Sequence, residues 1–194
     1  MTEHDLLKHI YQPCVKRLSH WLAPTHLTPI QISLIAFAMS IISAWLFASE
    51  YYAGLFFGSL LAFLALSLHL VAEEIRRLNQ VPLERFQKVD KAFIFYSELF
   101  LIAGLSAHLA LNNPKILCLL LGLLAATGIL LLEKFKERSP KELWSYFKFI
   151  EHPSMRISLI ILFSLINLPI LAVFLIAVLS NGLVLSGILE NKKN

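Results

Sequence analysis

Long apolar runs broken by short polar stretches dominate this chain. A hydrocarbon layer about 30 Å thick needs about 20 apolar residues of helix. The runs that approach this length are Ile30 to Ala48, Ala53 to Val71, Phe93 to Leu111, Ile116 to Leu132, Ser154 to Asn167 and Pro169 to Leu189. They predict an all-α, polytopic membrane protein with six transmembrane helices in a single domain over residues 1–194. The fifth run is short, and Asn167-Leu168-Pro169 is a natural break before the sixth, because proline lacks a donor and opens helices well.

Two other stretches are amphipathic. Residues 1–25 carry Leu6, Leu7, Ile10, Tyr11, Leu18, Trp21 and Leu22, with Lys8, Lys16 and Arg17 on other faces. That pattern suits a helix in the headgroup plane or an N-terminal arm packed on its own bundle. Within the polar loop 133–153, Ser139-Pro140-Lys141-Glu142 reads as N-cap, N1 and N3, and Leu143, Trp144, Phe147 and Ile150 form a stripe. Pro140 to Glu151 is expected to be an interfacial helix.

Composition and charge sharpen this outline. The chain is 57% hydrophobic and 15% charged, and its mean hydropathy is +0.69; a soluble domain is about 25% charged. Of the 17 Lys and Arg, only Lys115 lies on the side opposite the rest. The positive-inside rule then puts both termini and both long loops in the cytoplasm, as for an integral protein of a bacterial inner membrane. The net charge of +4 describes a basic rim that attracts anionic lipid or a phosphate-bearing ligand, and is no sign of nucleic acid. Cys14 and Cys118 fall at opposite predicted ends, so no disulfide is expected between them. No cleavable signal is visible, since the run from Ile30 is long enough to stay as a span.

The chemistry clusters between Leu68 and Glu98, where the second and third spans meet a polar turn carrying His69, Glu73, Glu74, Arg76, Arg77, Asp90 and Glu98. Ionisable groups near hydrocarbon are unfavourable unless paired, liganded or wetted. Glu73 with Arg77, and Glu84 with Lys88, have the spacing of solvated i,i+4 ion pairs. Asp90 either faces a cavity shared with Arg77 or pairs with Lys88 or Lys91 in solvent. Glu98 lies about 12 Å further along the third span at ~1.5 Å per residue, so it is expected to face the bundle. There it either shares a pocket with His69 or, protonated, bonds Ser97 or a backbone carbonyl. Gly122 and Ala126 form a small-xxx-small pair that permits close contact within the chain or in a homodimer.

Thr28-Pro29-Ile30-Gln31-Ile32-Ser33 is similar to the T-P-N-Q-I-T opening of the CDP-alcohol phosphatidyltransferase family. Glu151-His152-Pro153-Ser154-Met155-Arg156, followed by two apolar spans, is similar to its E-R-P-x-x-R region. The resemblance covers most of the chain and implies six spans with a cytoplasmic active site that transfers a phospho-group from a CDP-linked lipid or alcohol, releasing CMP. The family signature is D-x2-D-G-x2-A-R-x8-G-x3-D-x3-D. Its carboxylates hold divalent cations that neutralise the pyrophosphate, its glycine admits the backbone close by, and its last aspartate can deprotonate the acceptor alcohol.

Here the signature is degenerate. Aligned without gaps, only Arg77 and Asp90 match; His69, Ala72 and Ile94 stand at the other three aspartates, and Glu73 and Phe86 at the glycines. The chain has just two aspartates, Asp5 and Asp90, and no glycine between Gly58 and Gly104. No register restores a four-aspartate site. A substituted site is conceivable, with His69, Glu73 and Asp90 holding Mg or Mn, Asp90 and Glu98 acting catalytically, and Arg76, Arg77 and Arg156 binding substrate. The resemblance thus implies either a pseudoenzyme of phospholipid metabolism that binds lipid or a partner, or an active transferase or hydrolase with a substituted metal site. An unrelated six-span protein, such as a small transporter, is the third alternative.

Overall fold

The structure, a computed structural model, describes residues 3–22, 25, 27–78, 83–112, 114–134, 150 and 152–191. Among them all regular structure is helical: α1 Glu3–Leu22, α2 Pro29–Phe47, α3 Tyr52–Leu78, α4 Leu83–Asn112, α5 Lys115–Lys134, α6 Pro153–Leu165 and α7 Pro169–Asn191. Five of these, α2, α3, α4, α5 and α7, are long and apolar enough to cross a membrane, and the chain is a polytopic helical membrane protein. The fifth predicted run is the helix α6, but its 13 residues span only ~20 Å at ~1.5 Å per residue. The expected helix over 140–151 and the Glu84–Lys88 pair lie outside what the structure describes.

The helix ends follow from local chemistry. Thr28 caps α2 in a reciprocal box: its hydroxyl accepts from the Gln31 N–H (3.4 Å), and the Gln31 side-chain oxygen accepts from the Thr28 N–H (2.8 Å), with Pro29 at N1. At the far end of α6, Asn167 adopts a left-handed conformation (φ 59°). The Leu168 N–H then reaches the Phe163 carbonyl (2.7 Å) and the Asn167 N–H reaches that of Ser164 (3.2 Å). This pair of bonds is a Schellman stop with asparagine in the glycine role, and Pro169 starts α7 immediately after it.

Helix α2 lies between α3 and α4 at the centre of one side of the bundle. Its buried face, Ser33, Ala36, Ser40, Ser43, Ala44 and Phe47, is small for most of its length, so backbones approach closely. A Cβ on Gly104 of α4 would lie 2.2 Å from the Ala44 carbonyl oxygen, and Ser43 Oγ donates to the Gly58 carbonyl of α3 at 2.6 Å. Consequently α2 packs closely along both α3 and α4, which touch each other little. On the other side α5 uses Gly122 within the chain, against Ser106 of α4, and Gly128 against Ser180 and Asn181 of α7. At the end of the bundle opposite the polar turn, His108 Nδ1 donates to the Ser49 carbonyl (2.5 Å), tying the α2–α3 link to α4.

The N-terminal arm packs on the bundle. Helix α1 runs through Pro13, which is exposed. Its inward stripe, Tyr11, Val15, Leu18 and Leu22, repeats at i, i+4, i+7 and i+11. Tyr11 is 3% exposed and stacks on Phe63 (centroids 5.0 Å apart). Its hydroxyl lies 3.0 Å from Ser158 Oγ of α6. Since the Ser158 proton goes to the Ser154 carbonyl, Tyr11 is the donor. Burial pushes the Tyr11 phenol up from its ordinary pKa, and the Ser158 bond offsets this in part.

Candidate functional site

Three polar clusters occupy the end of the bundle where α2 begins, α3 ends and α4 begins. Outermost, at the end of α3, the Glu73 carboxylate accepts from Arg76 Nε (2.9 Å) and Nη2 (3.0 Å) and from Arg77 Nε (3.2 Å). The Arg76 guanidinium also stands 6.0 Å from the Phe86 ring centroid. The i,i+4 pair foreseen in the sequence is present, and the closer bidentate contact comes from the i,i+3 arginine. Arg77 is 52% exposed in its side chain.

One layer further in, an apolar cluster of Ile32, Val71, Ala72, Ile75 and Phe86 is covered by Val15, Leu18 and Leu22 of α1. Beneath it sits the second polar group. Asp90 Oδ1 accepts from Ser33 Oγ (2.6 Å) and from His69 Nδ1 (2.9 Å), so one carboxylate oxygen joins α2, α3 and α4. His69 is 2% exposed, and its Nε2 is buried with no hydrogen-bond partner. The Asp90 side chain keeps 12% exposure. A histidine whose Nδ1–H is held by a carboxylate presents Nε2 as a fixed acceptor or ligand, the arrangement found in both proton-transfer and metal sites.

The third group is deeper along α4. Arg156, at the start of α6, grips Glu98 through two parallel bonds, Nε to Oε1 and Nη2 to Oε2 (2.8 Å), and sends Nη1 to the Ile150 carbonyl (2.5 Å). Arg156 is 1% exposed and Glu98 0%. The fork geometry satisfies both carboxylate oxygens.

Placement of the sequence-predicted residues therefore differs from expectation in its pairings. Asp90 meets His69 and Ser33; it pairs with neither Arg77 nor Lys88 nor Lys91. Glu98 faces the bundle as expected, but its partner is Arg156, not His69, Ser97 or a lone carbonyl. The cause is geometric. Asp90 and Glu98 are about 80° apart around α4 and ~12 Å apart along it, so Asp90 looks toward α2 and α3 while Glu98 looks toward α6. Moreover α3 runs on to Leu78 and α4 starts at Leu83, which sets His69 level with Asp90. Glu73 is spent on Arg76 and Arg77, and among the described residues no group of three or more His, Cys, Asp or Glu is placed to hold a metal ion. The sequence-based set His69, Glu73 and Asp90 is thus assembled only as far as the His69–Asp90 pair.

The sequence marks Ser33 only as a motif residue and carries no sign of its bond to Asp90. Its signal lay in the Thr28–Ser33 hexapeptide, whose polar members all have work in the structure: Thr28 and Gln31 cap α2, and Ser33 holds Asp90. Compared with known proteins, the chain matches no family model and no curated protein.

Proposed function

We propose that this chain is a divergent protein of the CDP-alcohol phosphatidyltransferase type. It has six spans, with α6 as the short one, both termini on the cytoplasmic side of a bacterial inner membrane, and its transferase chemistry lost. Its role is that of a lipid-binding or partner-binding homologue in phospholipid metabolism. What supports this is that Glu98, Glu73 and Asp90, in the region where such enzymes hold divalent cations, are already engaged inside the chain: Glu98 by Arg156, Glu73 by Arg76 and Arg77, and Asp90 by Ser33 and His69. A Mg²⁺ or Mn²⁺ site needs carboxylate oxygens free of such partners. The second reading, an active transferase or hydrolase with a substituted site, is favoured by one observation, the unpartnered Nε2 of His69.

Calorimetric titration of the purified protein in detergent separates the two. No saturable binding of CDP, with or without Mg²⁺ or Mn²⁺, is the expected result. Metal-dependent CDP binding that is lost in His69→Ala and Asp90→Asn would establish the second reading. For the orientation, a thiol introduced by Asn112→Cys should react with an impermeant maleimide in intact cells, and Cys14 should not; labelling of Cys14 would reverse the assignment.

A further inference from the structure

We propose that α1 is a gate over the Ser33–His69–Asp90 centre, a helix that packs down to narrow access to this polar group, leaving only the residual exposure of Asp90, and lifts to open it to the aqueous side. Four observations carry this. First, the stripe Val15, Leu18 and Leu22 lies on the apolar cluster formed by Ile32, Val71, Ala72, Ile75 and Phe86. These residues adjoin the centre in sequence: Ile32 precedes Ser33, Val71 and Ala72 follow His69 within one turn, and Phe86 is one turn before Asp90.

Second, α1 is attached by means suited to release. Among its described side chains, those beyond Val15, Leu18 and Leu22 add one ring stack, Tyr11 on Phe63, and one side-chain hydrogen bond to the bundle, Tyr11 to Ser158. Among the described residues no ion pair joins it to the bundle. Third, the described part of its other surface suits water and headgroups: Gln12, Lys16, Arg17 and His20 are exposed, and Trp21 is 80% exposed. A helix with such a face keeps a favourable place at the membrane surface when its inner stripe lets go.

Fourth, the closed state leaves a polar atom unsatisfied. His69 Nε2 is buried without a partner, and a buried polar group left unpaired opposes the state that buries it. Lifting α1 would admit water to that nitrogen, so opening recovers hydration that a purely apolar seal would not. The gate does not depend on whether the chain transfers a phospho-group, since it concerns access to the centre and not what happens there.

The test uses the full chain in detergent, with Cys14→Ser and a reporter thiol introduced by Ala72→Cys, a position 0% exposed beneath α1. The native Cys118, free and buried in α5, is the internal control. Both thiols are followed by mass spectrometry during reaction with N-ethylmaleimide. Removing only the α1 hydrogen bond, by Tyr11→Phe, should raise the reporter's labelling rate about threefold. Charging the stripe, by Val15→Glu with Leu18→Glu, should raise it at least tenfold; in both variants Cys118 should keep its parent rate. A reporter rate unchanged in both variants, or a rise matched at Cys118 in Tyr11→Phe, would overturn the gate.

Discussion

Helix α4 presents two buried acids to the bundle, and they are treated in opposite ways. Glu98 is closed: both of its oxygens are taken by the fork of Arg156, whose third donor goes to the Ile150 carbonyl. Asp90 is left open: one oxygen collects both of its partners, its side chain keeps 12% exposure, and the imidazole it orients has a free nitrogen. The difference lies in the chemistry of the partner. Arginine can satisfy a carboxylate completely and cannot lose its charge, so it suits a fixed joint; histidine satisfies one edge and offers the other. A buried acid in a membrane bundle is therefore not in itself a mark of a reactive site. What marks one is unsatisfied valence around the acid.

The sharpest way to break this comparison is at the closed pair. Glu98→Ala or Arg156→Ala leaves an uncompensated charge deep in the bundle and is expected to destabilise by ~3–5 kcal/mol. Removing both, as Glu98→Leu with Arg156→Met, is expected to recover most of that loss, because apolar groups of similar volume replace the pair. Thermal unfolding of the purified variants in one detergent gives the cycle. If the double variant is as unstable as either single one, the pair is not the self-contained joint described here.

At the open centre the effects should be smaller. Asp90→Asn and His69→Ala are each expected to lower stability by ~1–3 kcal/mol, since each strands a polar partner, and Ser33→Ala by ~1 kcal/mol. The order matters more than the values. Losses at Asp90 that equal those at Glu98 would mean that the two acids do the same structural work, and would remove the ground for treating Asp90 as the candidate site.

Much of this architecture is legible in the sequence because it rests on local signals. Span lengths, the Asn167-Leu168-Pro169 break and the amphipathic arm follow from hydropathy and turn chemistry over a few residues. The clustering of ionisable groups at the polar turn between Leu68 and Glu98 is equally local. The pairings were not legible, because they depend on the rotation of α4 and on which helix lies beside which. The small face of α2 separates α3 from α4 along most of their length, and that turned Glu98 toward α6 and away from His69. The motif marks Arg156 as a substrate-binding cation, and nothing nearby in the sequence names its partner 58 residues away. Ser33 shows the opposite case, a residue read as part of a motif whose function became visible only when Asp90 was placed against it.

Arg77 supplies the smallest expected effect and the cleanest discrimination. It is one of only two signature positions retained in the gapless alignment, yet its guanidinium is more than half exposed and bonds Glu73, which Arg76 already holds bidentately. Exposed pairs of this kind contribute about 0–1 kcal/mol, and here Glu73 keeps its other cation, so Arg77→Ala should leave the unfolding temperature of the purified protein nearly unchanged. If Arg77 is held in reserve for a phosphate, stability will still not move, but a lipid with a phosphomonoester headgroup should bind the parent more tightly than the variant in a liposome flotation assay, with the difference fading as salt screens it. Equal flotation would make Arg77 a solvated helix end whose match to the signature is coincidental. A stability loss comparable to that at Asp90 would contradict the exposure and bonding described here.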